Sequence, residues 1–143
     1  MKKLAILGLI AVMLLPLLAI GCTTATPKSA TVEITLDDFS AHNNIASNVT
    51  IGVDGTLTVK LGSNPSTGYS WEDPVIGNSA TVEQASYEYV APTGTLLIGA
   101  PGTDVWVFNG KATGTTTIQF GYSRPWETGE PDTFILLITI TVE

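Results

Sequence analysis

Apolar residues recur at every second position along most of the chain after residue 30. The runs are Val32, Ile34 and Leu36; Val49, Ile51 and Val53; Leu57, Val59 and Leu61; Ile118, Phe120 and Tyr122; and Phe134, Leu136, Ile138, Ile140 and Val142. A period of two indicates β-strands with one buried face, because successive side chains of a strand point to opposite faces. Turn-forming pairs such as Asp54-Gly55 and Asn109-Gly110 separate the runs, and no helical period persists. The chain is therefore predicted to be all-β.

The spacing of these runs predicts seven main strands and one extra short strand. They are expected near residues 31–37 (A), 48–53 (extra), 56–62 (B), 69–73 (C), 81–90 (D), 104–109 (E), 115–122 (F) and 133–142 (G). Strands of this number and spacing favour an immunoglobulin-like antiparallel β-sandwich of about seven to eight strands. Trp71, on strand C, is expected to lie buried between the two sheets.

The N-terminal residues are typical of an export signal and not of the fold. Lys2 and Lys3 precede a nearly unbroken apolar run that ends at Gly21-Cys22. This stretch resembles a lipoprotein signal in which Cys22 becomes the lipidated first residue, although Ala19 occupies the position that usually holds Leu. We therefore predict a signal peptide over 1–21, a lipidated Cys22 with a flexible tether over 22–30, and one domain over 31–143.

Charge and cysteine content restrict the partners. Without residues 1–21 the chain keeps four basic residues against thirteen acids, a net charge of −9. This charge argues against nucleic acid and against adhesion to anionic lipid, so membrane attachment is expected only through the anchor at Cys22. The protein is thus predicted to be exported to the cell envelope or surface. Cys22 is the only cysteine, which leaves the domain with no disulfide and no thiol nucleophile.

Three long loops are predicted to share one end of the sandwich. Successive connections alternate between the two ends, which groups the BC loop (63–68), the DE loop (91–103) and the FG loop (123–132). Gly- and Pro-rich loops on a rigid scaffold are common binding sites. Trp126 lies among polar and turn-forming residues where no strand period can bury it, so we expect an exposed interface anchor.

The three loop motifs together resemble the chagasin family of cysteine protease inhibitors, immunoglobulin-like domains that block papain-like enzymes. The motifs are Asn64-Pro65-Ser66-Thr67-Gly68-Tyr69 in the BC loop, Gly99-Ala100-Pro101-Gly102-Thr103 in the DE loop, and Arg124-Pro125-Trp126 in the FG loop. They are similar to the family's NPTTGY-type, glycine-rich and RPW-type motifs, in the same order. Ser66 departs from the usual Thr, and Pro101 replaces a Gly, which fixes one φ angle and removes one N–H donor.

The resemblance implies a reversible, tight-binding inhibitor of papain-like cysteine endopeptidases that needs no cofactor or metal. The BC loop would project Ser66 and Thr67 into the substrate cleft, close to the catalytic cysteine. Trp126 would lie against aromatic surface on one side of the cleft, and the DE loop would flank the other side by extended backbone pairing. Arg124 would either meet a protease acid or brace its own loop. Nothing in the sequence requires more than a monomer.

The sequence fits two other functional classes, an enzyme and a surface binding module, less well than it fits an inhibitor. An enzyme is disfavoured because the sole histidine, His42, lies in a polar segment and no nucleophile or His/Cys metal set accompanies it. The acids Glu127, Glu130 and Asp132 lack a recognisable calcium-ligand spacing. The alternative is a surface-anchored adhesion or carbohydrate-binding module, in which Trp126, Tyr122 and Trp106 would form an aromatic sugar platform. The BC-loop motif favours the inhibitor, because a sugar binder has no need of it.

Overall fold

The computed structural model describes residues 25–94, 99–129 and 131–143. The elements are β1 (Ser29–Ile34), α1 (Leu36–Ala41), β2 (Asn44–Ile51), β3 (Thr56–Ser63), a single 3-10 turn (Pro65–Thr67), β4 (Ser70–Trp71), β5 (Val75–Ile76), β6 (Val82–Val90), β7 (Gly102–Gly110), β8 (Gly114–Ser123) and β9 (Phe134–Val142). No helix within these ranges has the length and apolarity needed to cross a bilayer. The predicted signal segment and Cys22 lie outside the described residues.

The all-β fold is confirmed, but the two sheets are mixed and not purely antiparallel. One sheet has the strand order β1-β3-β7-β6, and the other has the order β2-β9-β8-β4, with β5 also paired to β8. Strand β1 is parallel to β3, and β2 is parallel to β9. The chain reverses once at α1 and again at the turn around Asp54-Gly55, so β1 and β3 run in the same direction. The prediction of an antiparallel sandwich was therefore wrong at both of these edges.

The short helix α1 stands where strand A was expected to continue to residue 37. Thr35 caps it: the Asp38 backbone N–H donates to Thr35 Oγ1 (3.2 Å), and the Thr35 backbone N–H donates to Asp38 Oδ2 (2.8 Å). Hydrogen bonds from the Thr35 side chain and then its backbone lower the pKa of Asp38. Phe39 is the buried residue of the helix, with its ring 5.1 Å from the Trp71 ring. Capping and the burial of one side chain, Phe39, thus override the strand pattern here.

The core lies between the sheets, where the alternating residues of the long strands face one another. Strand β7 shows this most regularly, with buried and half-buried residues alternating from Gly102 to Gly110. Trp71 is buried as predicted, and its indole Nε1–H donates to the Gly62 carbonyl oxygen at 3.0 Å. Trp106 and Phe108 are buried on the inner face of β7. This packing fixes the ends of β3, β7 and β8, from which the three loops extend.

Candidate functional site

The BC, DE and FG loops meet at one end of the sandwich, as the connection pattern predicts. Strand β3 ends at Ser63, which pairs with Gly102 at the start of β7, so the BC and DE loops leave neighbouring strand ends. Asn64 Nδ2 donates to the Gly99 carbonyl oxygen at 2.9 Å and joins these two loops directly. Trp126 packs on Gly68 and joins the FG loop to the BC loop. The three loops therefore form one continuous surface, called the loop face below.

Asn64 organises the BC loop from its base. Its backbone N–H donates to the Tyr122 hydroxyl (3.1 Å), and its carbonyl oxygen accepts from Thr67 Oγ1 (2.7 Å). Its side-chain oxygen accepts from Ser66 Oγ at 2.5 Å. The loop closes as a 3-10 turn over Pro65–Thr67, with the Gly68 N–H donating to the Pro65 carbonyl oxygen at 3.0 Å. The exposed tip, residues 65–67, is thus held in one shape before any partner binds.

Gly68 allows the FG loop to reach the BC loop. Its φ is +85°, a left-handed conformation that glycine adopts without strain. A Cβ atom at this position would also overlap the Trp126 ring. Trp126 remains 64% exposed, which confirms that it lies outside the core. An edge of the indole, at Cη2 and Cζ2, therefore rests on Gly68 while much of the ring stays open to solvent.

Arg124 braces the FG loop. Its guanidinium lies 4.4 Å from the centroid of the Tyr69 ring, and its Nη1 donates to Glu127 Oε1 at 2.9 Å. The Glu127 hydrogen bond is also the main cause that raises the pKa of Arg124. The Tyr69 ring in turn stacks on Tyr122 at 5.5 Å between centroids. Of the two roles that the sequence left open for Arg124, the structure shows the bracing one.

The FG loop returns over the outer face of β8 above a polar pocket of about 960 Å³. Asp132 lies directly on Gly121, where any Cβ atom would overlap its carboxylate. The Glu72 backbone N–H donates to the Gly121 carbonyl oxygen at 2.9 Å, and Glu72 Oε1 accepts from Ser123 Oγ at 2.6 Å. Burial, and then the charge of Glu72, raise the pKa of Asp132. Asp132 at the start of the return to β9 is therefore packed on β8, where it is affected by the charge of Glu72.

Residues 50–138 match the model of a family described as chagasin family peptidase inhibitor. The chain belongs to this family. Among curated relatives, amoebiasin-2 of Entamoeba histolytica is 32% identical over 80 residues, which cover 56% of this chain and 64% of amoebiasin-2. Chagasin of Trypanosoma cruzi is 32% identical over 92 residues, which cover 60% of this chain and 78% of chagasin. The aligned part of this family member thus spans just under two thirds of amoebiasin-2.

A solved structure agrees with the fold over nearly the whole described domain. It is a crystal structure of a cysteine protease inhibitor from Entamoeba histolytica, 26% identical, with a TM-score of 0.64. The match covers 82% of this chain and 99% of that chain. The chagasin-family fold therefore extends beyond the segment that the sequence comparison matches.

The DE loop of this chagasin-family protein differs from the prediction at its end. Gly102 and Thr103 belong to strand β7, paired with Ser63 and Gly62, so the loop ends at Pro101. Gly102 is buried, whereas Gly99 and Pro101 are exposed and Ala100 is half-buried. Residues 95–98 lie outside the described ranges. The described and accessible parts of the DE loop are therefore residues 91–94 and Gly99 to Pro101.

The aromatic sugar platform of the alternative function does not form. Trp106 is 2% exposed and Tyr122 is 4% exposed, so of its three aromatic residues only Trp126 reaches solvent. His42 is exposed at the C-terminus of α1. Within the described ranges, no group of three or more His, Cys, Asp or Glu residues is placed to hold a metal ion. Glu130, one of the acids considered for calcium, lies outside those ranges.

Sequence reasoning missed four residues that shape the loop face. Tyr122 supports the BC loop through its hydroxyl, and Gly121 admits Asp132. Glu127 holds Arg124, and the spacing Arg-Pro-Trp-Glu is a readable signal for such an i,i+3 ion pair. The contacts of Asp132 and Tyr122 join residues far apart in sequence, and no local pattern could have indicated them.

Proposed function

We propose that this protein is a reversible, tight-binding inhibitor of papain-like cysteine endopeptidases, and not itself an enzyme. Membership in a peptidase-inhibitor family and likeness to a structure described as a cysteine protease inhibitor support this proposal. The observation that carries it is the joining of the three motif loops through the Asn64–Gly99 and Gly68–Trp126 contacts. A surface built this way can enter and cover a substrate cleft as one rigid body.

The BC loop acts as the wedge in this proposal. Its tip carries Pro65, Ser66 and Thr67, all exposed. The two hydroxyls are already bonded within the loop, so binding does not have to order them. A tightly closed turn also cannot adopt the extended conformation that peptidases require of a substrate. The loop would therefore occupy the cleft without being cleaved.

The FG and DE loops flank the wedge. Trp126 offers a large, partly supported ring, the kind of side chain that dominates interface energetics. Gly99, Ala100 and Pro101 offer mainly backbone, with no N–H donor at Pro101. We propose that the DE loop contacts the peptidase chiefly through its carbonyl groups. Gly102 and Thr103 contribute by holding the loop in register, because both lie in β7.

A titration of papain and of a cathepsin L-type enzyme with the purified protein tests the function, with trypsin as a control. We expect full, reversible inhibition of both cysteine enzymes and none of trypsin. The absence of inhibition at micromolar protein would overturn the proposal, and equal inhibition of trypsin would overturn the assigned specificity.

We propose further that the sandwich is an immunoglobulin-like one. The order β1-β3-β7-β6 corresponds to strands A, B, E and D, and β4, β8 and β9 correspond to C, F and G. Cross-strand amide contacts in NMR spectra between Val59 and Trp106, partners on β3 and β7, are expected if the B–E pairing holds. Their absence would contradict it.

We also propose that the protein acts as a monomer held at the cell envelope or surface by a lipid on Cys22, after removal of residues 1–21. The order of a basic start, an apolar run and a single cysteine supports the anchor. The predicted tether reached residue 30, but β1 begins at Ser29, so only the short polar stretch 23–28 would act as the tether that lets the loop face reach a peptidase.

A further inference from the structure

The C-terminal half of β6 presents large side chains to solvent beside the loop face. Tyr87, Tyr89 and Val90, called the β6 flank below, are 54%, 42% and 43% exposed. The tyrosines pair with Trp106 and Asp104, which are buried residues of β7, so they lie on the inner face of this edge strand, and Val90 lies on its outer face. Every β6 residue after Val82 is exposed, whereas the other long strands alternate. Across the sandwich edge, β4 and β5 contain two residues each and leave this part of the sheet uncovered.

The two tyrosines of the β6 flank are held in place although they are exposed. Tyr87 Oη donates to Asp104 Oδ1 at 2.5 Å, and its ring lies 5.2 Å from the Trp106 ring. Burial, followed by this hydrogen bond, raises the pKa of Tyr87 to about 12. Tyr89 lies on Gly102, where a Cβ atom would overlap its phenol. Aromatic side chains that are ordered before binding provide contact area at low entropic cost.

The β6 flank is continuous with the loop face. Tyr89 rests on Gly102, which immediately follows Pro101 of the DE loop. Gly102 pairs with Ser63, the neighbour of Asn64 in the BC loop. A stable protein–protein interface buries roughly 800 Å² on each partner and involves about 20–30 residues a side. A globular peptidase seated on the three loop tips would therefore extend past them, and the β6 flank is the adjoining surface with exposed aromatic residues.

The free backbone edge of β6 is not suited to pairing with another strand. A bulge shifts the register between Gln84 and Ser86, and Glu83 and Glu88 place acids along the strand. Bulges and charges of this kind protect sheet edges from strand addition. Contact at the flank is thus expected through side chains and not through main-chain hydrogen bonds.

We propose that the β6 flank is a further part of the peptidase-binding surface, in which the body of the bound cysteine peptidase, outside its substrate cleft, covers the end of this edge strand and contacts Tyr89 on one face and Val90 on the other. This inference rests on the proposed inhibitory function. Tyr87 supports the contact by keeping the strand end and Asp104 in place.

The test compares inhibition of papain by the full chain and by four variants. Tyr89→Ala and Val90→Ala are expected to raise the inhibition constant about tenfold and about threefold, through faster dissociation. Val53→Ala is the matched control for Val90: Val53 is 39% exposed, but it lies beside Glu143 and Gly110 at the opposite end of the sandwich. This control should leave the constant unchanged. Trp126→Ala reports on the loop face itself.

A second measurement guards against misfolding of the tyrosine variant. Amide hydrogen exchange of the unmodified chain should slow over residues 86–90 when papain is bound, while the exposed edge β2 stays unchanged. The flank inference fails, and the proposed function stands, if three results are found together. Trp126→Ala weakens inhibition, the flank variants inhibit papain as well as the unmodified chain does, and hydrogen exchange over residues 86–90 is the same with and without papain. If the unmodified chain does not inhibit papain, both fail.

Discussion

Single residues on the loop face divide into those that would touch a peptidase and those that position them. Trp126 belongs to the first group because it is 64% exposed while it packs on Gly68. Asn64 belongs to the second, since it is half-buried and bonds to the BC and DE loops at once. The two kinds of residue should differ in how their loss affects stability.

Replacement of Trp126 by Ala should weaken inhibition of papain by about 30-fold or more while the free energy of unfolding changes by less than about 1 kcal/mol. The reason is that the indole covers little of the core in the free protein. Inhibition kinetics and thermal unfolding of the same preparation check this. A large loss of stability with unchanged inhibition would show that Trp126 is a structural residue instead.

Replacement of Asn64 by Ala should lower both the free energy of unfolding and the strength of papain inhibition. The change removes the side-chain bonds to Gly99 and Ser66, at a cost of about 1–2 kcal/mol in unfolding free energy and about tenfold in inhibition. Asn78→Ala is the matched control, because Asn78 Oδ1 accepts from the Ala80 N–H in a turn outside the loop face. The control should lose stability only; a similar loss of inhibition in both variants would refute the positioning role.

The loop motifs could be predicted from sequence because they are local, but their supporting contacts could not. Asn64-Pro65 and Gly68 indicate a turn, and the structure has one. The hydrogen bond from Asn64 Nδ2 to Gly99, 35 residues along the chain, depends on the pairing of β3 with β7. Likewise, the bracing role of Arg124 depends on where the Tyr69 ring lies.

Among whole elements, long strands were easier to predict than short ones. Strands β3, β6, β7, β8 and β9 have eight or more residues each and lie within two residues of their predicted bounds, and β3, β8 and β9 also carry an apolar period of two. Strand β2 is an exception, because it has eight residues but begins at Asn44 and not near residue 48. Helix α1 has six residues and one buried side chain, too few for a helical period to show, although Thr35 and Asp38 carry a readable capping signal. The parallel pairing of β1 with β3 and of β2 with β9 depends on how often the chain reverses direction between strands. The alternating apolar runs alone do not reveal this number.

The stability of the protein should depend on pH through Asp132, at the end of the FG loop. The raised pKa of Asp132 means that the folded protein holds a proton there more tightly than the unfolded chain does. Stability should therefore fall as the pH rises from the ordinary aspartate pKa of about 4 through the raised value. Asp132→Asn should be more stable than the unmodified protein at pH 7, and the difference should shrink toward pH 3. Denaturant unfolding across this range checks the prediction, with Glu88→Gln as a control; an equal difference at every pH would contradict it.

At the scale of the whole molecule, the proposed inhibitory domain and the proposed lipid anchor should be separable. The loop face lies at one end of the sandwich, and the segment before β1 leads to the proposed anchor. Cys22→Ser should therefore move the protein from membrane to soluble fractions while inhibition of papain stays the same. Fractionation followed by an activity titration measures both; an unchanged membrane fraction would refute the lipid anchor.

Occlusion of the substrate cleft by the loop face is the central claim, and binding to two forms of papain tests it most directly. In one form the cleft is empty and the catalytic thiol is blocked by a small methylthio group; in the other a covalently attached peptide fills the cleft. Calorimetry should show tight binding to the first form and a loss of at least about a hundredfold with the second. Equal affinity for both forms would place the contact outside the cleft and contradict the account.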